Sequence, residues 1–156
     1  MSSTRIEFDT THADALLREV AANLSDMTPV MDQIGEVLIN STRARFDQGI
    51  APDGTAWAPN TPATIARKGS AKPLIGQTRI LSRTIFHAPR ADGVSWGSSL
   101  IYSAVQQMGA GKGVFGQTSS GQSIPFGTIP ARPFIGISDD DSTAIITALE
   151  AFLDPD

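Results

Sequence analysis

The run Ile129-Pro130-Ala131-Arg132-Pro133-Phe134-Ile135-Gly136-Ile137-Ser138 constrains the fold more than any other stretch, because it forces a change of backbone state at a known place. Prolines 130 and 133 bracket an arginine, fix their own φ and hold the residues before them extended. An apolar, strand-like segment follows directly. Ser138 then precedes Asp139, Asp140 and Asp141. A capping hydroxyl and carboxylates therefore stand where a helix N-terminus offers unpaired N–H groups and partial positive charge. The expectation is a strand returning to a sheet and handing over to a helix at Ser138.

Upstream, helical periodicity is clear. Ala13, Leu16, Leu17, Val20 and Leu24 share one face, with Thr11 and Asp14 resembling a short capping box, which predicts an amphipathic first helix over 12–24. Thr28-Pro29 reads as an N-cap followed by proline at the first helical position. Met31, Ile34, Val37 and Leu38 keep the period to about Phe46, making this the longest helix. Gly49 is placed to end it in a left-handed conformation. A short helix is expected over Gln77–Arg83. A hairpin of Thr84–Arg90 and Gly93–Ser98 follows, turning at Ala91-Asp92-Gly93. Ile101, Ala104, Val105 and Met108 form another helical stripe, and Ile145, Ile146, Leu149, Phe152 and Leu153 line the last helix.

Two segments carry no such pattern. Residues 49–73 hold four prolines and three glycines, with turn chemistry at Pro52-Asp53-Gly54 and a helical turn or two at most over Ala63–Lys68. Residues 109–127 hold six glycines among serines and threonines, too little side-chain area to order themselves, and read as a mobile excursion. The 156 residues, 40% hydrophobic, suffice for one domain over 1–156, with 49–73 and 109–127 as long loops. The element order predicts an α+β fold, several helices packed on a small antiparallel sheet with long flexible loops.

Composition narrows the function. A net charge of −4 argues against direct nucleic-acid binding, which draws its affinity from Lys and Arg releasing counterions. The absence of cysteine removes disulfides, thiolate nucleophiles and thiolate metal ligands, and suits a reducing compartment. No apolar run reaches the roughly 18 residues of a membrane span, and Met1–Arg5 lead into no signal-peptide core, so a soluble cytoplasmic chain is expected.

No catalytic set emerges. His12 reads as an exposed first-turn residue, and His87, in a strand with no patterned carboxylate partner, as alternating outward. Asp139-Asp140-Asp141 caps a helix better than it binds a cation, since three consecutive side chains diverge. Gly109-Ala110-Gly111-Lys112-Gly113 lacks the Ser or Thr after lysine that a phosphate loop needs. The reading is therefore no enzyme, no cofactor and no metal. What remains is surface: Trp57 and Phe115 are aromatic anchors on loops, Arg67 and Lys68 a basic pair, and Arg132 a guanidinium suited to reach carbonyls or a carboxylate in its own fold or across to a neighbour. These five are the candidate interface residues.

Several blocks, in order, resemble the phage virion morphogenesis family, the tail completion proteins of the Mu-type G and P2-type S group. Phe46 to Pro59 is similar to the family's Phe, Pro-Asp-Gly and Trp-x-Pro signature. Leu81-Ser82-Arg83-Thr84-Ile85, Val94-Ser95-Trp96-Gly97-Ser98, Tyr102 to Gly109 and Ile129 to Gly136 follow. Gln106 stands where relatives often carry histidine, and Leu81-Ser82-Arg83 replaces a Leu-Thr-Gly-x-Leu pattern. The resemblance implies a structural virion protein acting in tail completion or head–tail joining, with no catalytic activity. It further implies a homo-oligomeric ring, commonly hexameric, meeting connector or neck and tail tube proteins at the head–tail junction. A ring subunit needs extensions that reach its neighbours, and 51–72 and 109–123 are the candidates, ordering on assembly. A small binding or regulatory protein of a phage or prophage is the alternative, and a hydrolase a weaker one.

Overall fold

Helix α2 (Thr28–Gln48) is the axis of the molecule in a computed structural model that describes residues 11–153. The reading of Met1–Arg5 lies outside the described residues. Around α2 stand α1 (Thr11–Ser25), α3 (Pro62–Lys68), α4 (Ile80–Arg83), the strands β1 (Ile85–Arg90) and β2 (Gly93–Ser98), α5 (Ser103–Met108) and α6 (Asp139–Leu153). The architecture is α+β, helices on a two-stranded antiparallel sheet.

Val30, Ile34 and Leu38 stack at four-residue spacing along α2, so one stripe faces the same way for two turns. It packs on Val94 and Trp96 of the hairpin and on Ile145, Leu149 and Phe152 of α6. Further along, Ile39 and Phe46 meet Trp57, Leu81, Ile85 and Phe134. The Phe46 ring lies edge-on to Trp57 with centroids 5.5 Å apart and 5.2 Å from Phe134. Each such buried side chain contributes about 1.5–3 kcal/mol. Trp96 touches both clusters and joins them.

Local signals held well. Gly49 adopts φ 75° and donates its N–H to Arg45 O, ending α2. Asp53 accepts the Thr55 N–H within the Pro52–Gly54 turn. The hairpin pairs Ile85 with Ser98 and Arg90 with Gly93. Thr61 caps α3 by accepting the Thr64 N–H, and Gly69 closes it.

Five expectations are corrected. Thr28 lies inside α2; the cap position is Met27, and the Asp26 carboxylate takes the Thr28 N–H instead. His87 points inward: Ile85 belongs to the core, and period two carries residue 87 to the same face, leaving Phe86 exposed. Its ring lies on Gly35, where a Cβ would stand 2.2 Å from His87 Cδ2, so α2 has a gap cut for it. Nε2 is 2.8 Å from Asp32 Oδ1 and Nδ1 3.9 Å from Glu36 Oε1, carboxylates that strand spacing could not reveal. The stripes of α1 and α5 are uncovered: Leu16, Leu17, Leu24, Ile101 and Met108 are exposed. Residues 49–73 are folded down by Ala51 and Trp57, both buried. Lastly, 129–138 joins no sheet. Its one bridge is Ile129 to Ala110, because prolines 130 and 133 lack the N–H groups a ladder needs.

Candidate functional site

The extended segment 130–136 is held by side chains standing in for a neighbouring strand. The Gln107 amide, on α5, accepts the N–H groups of Phe134 and Ile135 at 2.9 and 3.0 Å and donates to Ile135 O at 2.8 Å. Trp57 Nε1 donates to Pro133 O at 2.7 Å. Arg45 Nη1 donates to Phe134 O and Gly136 O, at 3.2 and 2.8 Å. The Arg132 N–H reaches Gln106 O. Buried backbone polar groups must find partners, and here they find them on α2, α5 and the 49–73 segment.

At its far end the segment enters α6 through a capping box. Ser138 Oγ accepts the Asp141 N–H, and Asp141 Oδ2 accepts the Ser138 N–H. The same carboxylate pairs with Arg45 Nη2 in the interior. Burial pushes the Asp141 carboxyl up, but hydrogen bonds from Ser41 and Ser138 and the Arg45 charge outweigh it and hold its pKa below the usual carboxylate value. Sequence reasoning found the cap and missed Arg45, a partner 96 residues away.

At its near end the segment meets the glycine-rich arm. The arm is pinned by its own backbone: Phe115 N–H to Ile124 O, Ile124 N–H to Gly116 O, and Gly113 N–H to Pro125 O. Val114, Phe115, Ile124 and Phe126 stay exposed. Met108, Val114 and Phe115, with Ala104, Val105 and Gly111, line an apolar groove of about 400 Å³.

The five candidate residues separate. Trp57 is 6% exposed and serves the core, so it is no surface anchor. Arg132 is also buried, its Nε on Ala58 O at 2.8 Å and Nη2 on Pro59 O at 3.1 Å, which is the carbonyl-binding role within its own fold. Burial lowers its pKa from the ordinary guanidinium value. Lys68, half-buried, donates to Lys72 O and lines the same cleft as Arg132; Arg67 is exposed on α3. Phe115 stands alone of the five as an exposed aromatic. Among the described residues no group of three or more His, Cys, Asp or Glu could hold a metal.

The blocks recognised along the chain thus converge in space. Phe46, Trp57 and the carbonyls of Ala58 and Pro59, then Gln106 and Gln107, all close on Pro130–Gly136. A model of the phage virion morphogenesis family matches residues 8–154. The chain belongs to the phage virion morphogenesis family. No curated protein and no solved structure matches it. As a virion morphogenesis protein it has a part in building a phage particle, and no helix among its described residues is long and apolar enough to cross a membrane. Gln106 contributes its backbone carbonyl to Arg132, a bond any side chain would permit, and Leu81 still fills the core.

Proposed function

We propose that the protein acts as a structural tail completion protein, joining head and tail as a homo-oligomeric ring between the connector and the tail tube. Membership of a virion morphogenesis family supports a structural and non-catalytic role. The observation that carries the assembly reading is the apolar surface left on one region of the chain: Ile101, Met108, Val114, Phe115 and Phe126 are each more than half exposed around α5 and the arm. Met108, Val114 and Phe115 share one groove, and exposed apolar surface gathered in this way marks sites that another protein covers. A neighbouring subunit docking on the arm and groove would bury it, and repetition around an axis closes a ring. Arg67 and Lys68 supply polar rim contacts in this reading, and the exposed leucines of α1 offer a second face toward tail or neck proteins.

The test is electron microscopy of particles assembled without the protein, complemented by wild type or by Phe115→Asp. Unjoined heads and tails that wild type rescues and Phe115→Asp does not are expected. Normal virions in the absence of the protein would refute the function. Full rescue by Phe115→Asp would refute the arm as the interface.

A further inference from the structure

Between α3, the turn before α4 and α5 lies a cleft of about 320 Å³, lined by Thr64, Lys68, Thr78, Tyr102, Gln106 and Arg132 among others, with no aspartate or glutamate among its lining residues. Arg132 is 8% exposed, yet its partners are the neutral carbonyls of Ala58 and Pro59 and, at 3.4 Å, Asn60 Oδ1. Its Nη1 has no partner among the described residues. Lys68 Nζ is likewise met by a neutral acceptor, Lys72 O. The contrast within the molecule is direct. Arg45, equally buried, is balanced by Asp141, and even the exposed Arg79 has Asp47 at 3.1 Å.

Two cations sharing a partly enclosed cleft with no counter-charge favour an anion that enters it, because water solvates them less fully there than on an open surface. Burial, and next the Arg132 charge, lower the Lys68 pKa, so the two groups already feel each other. A guanidinium edge beside an ammonium matches the geometry of a carboxylate or phosphate group.

We propose that this cleft binds an oxyanion, a carboxylate or phosphate group held between Arg132 Nη1 and Lys68 Nζ. Tyr102, Gln106 and Thr78 supply further hydroxyl and amide groups at its walls. A free anion and an acidic side chain of another protein present the same chemistry, and the two are separated by which probe binds better.

The experiment titrates the full chain with inorganic phosphate and, separately, with N-acetylglutamate as a carboxylate side chain, at constant ionic strength. Binding is read from amide NMR shifts and from Tm. Saturable shifts at Lys68, Gln106 and Arg132 with a rising Tm are expected for at least one probe, and the tighter of the two names the source. Lys68→Gln, which removes the charge and keeps a polar side chain, should weaken that binding at least tenfold. Arg90→Gln, which removes the same charge from the hairpin, should leave it unchanged. No saturable response to either probe, or equal weakening by Lys68→Gln and Arg90→Gln, overturns the proposal.

Discussion

Replacing Arg45 by methionine removes one side chain that ties three parts of the fold together. Its guanidinium holds the carbonyls of Phe134 and Gly136, the hydroxyl of Ser41 and the carboxylate of Asp141. Methionine fills similar space and supplies none of these donors. The largest consequence is the Asp141 carboxylate, 3% exposed and left without its counter-charge. Removing one partner of a buried ion pair costs about 3–5 kcal/mol. Against a total stability of about 5–15 kcal/mol this is severe, and for a chain of this size it lowers Tm on the order of 10 °C. Urea denaturation of wild type, Arg45→Met, Asp141→Leu and the double variant forms a cycle. The double variant should recover most of the loss, since an apolar pair of similar volume often replaces a buried ion pair at little cost. It should stay about 1–2 kcal/mol short of wild type, because the Ser138 N–H no longer has the carboxylate acceptor and the Phe134 and Gly136 carbonyls no longer have the guanidinium donor. A loss below about 1 kcal/mol for Arg45→Met, or strict additivity in the cycle, would refute the reasoning.

Gln107→Ala removes the acceptor of two N–H groups and the donor of one carbonyl, and should cost about 2–3 kcal/mol; hydrogen exchange must accelerate at Phe134 and Ile135, and unchanged exchange there would sink the clasp. Gly109→Ala forces a side chain into φ 77° with its Cβ 2.8 Å from Ala131 N and Ile129 O, both backbone, so it should lower the denaturation midpoint by the equivalent of at least about 2 kcal/mol. Gly111→Ala, facing open space, is the neutral control. Because the folded-state pKa of Asp141 is depressed, its contribution is fully present above the ordinary value of 3.8 and is lost as pH falls through the lower folded value. Between pH 5 and pH 2 wild type should therefore lose more stability than Asp141→Asn, and parallel curves would contradict it.

Features that a few neighbouring residues decide through φ, ψ and periodicity were legible in the chain. The stripe of α2, the left-handed stop at Gly49, the Asp92-Gly93 hairpin and the Ser138–Asp141 start of α6 are all local, and all stand where the residues place them. Family membership was legible too, because its motifs sit at the points of the chain that close on Pro130–Gly136. Which faces meet depends on contacts between residues far apart in the chain. Period two allows a strand either parity, and the space above Gly35 chose the one that turns His87 inward. The Pro-rich run looked like a strand because extended backbone and apolar residues are common to both. Its prolines deny it a ladder, and Gln107, Trp57 and Arg45 supply the bonds from three distant places. Trp57 and Phe115 looked alike as loop aromatics. One has a core to enter and a carbonyl for its indole N–H; the other lines an open apolar groove with Met108 and Val114 and stays more than half exposed.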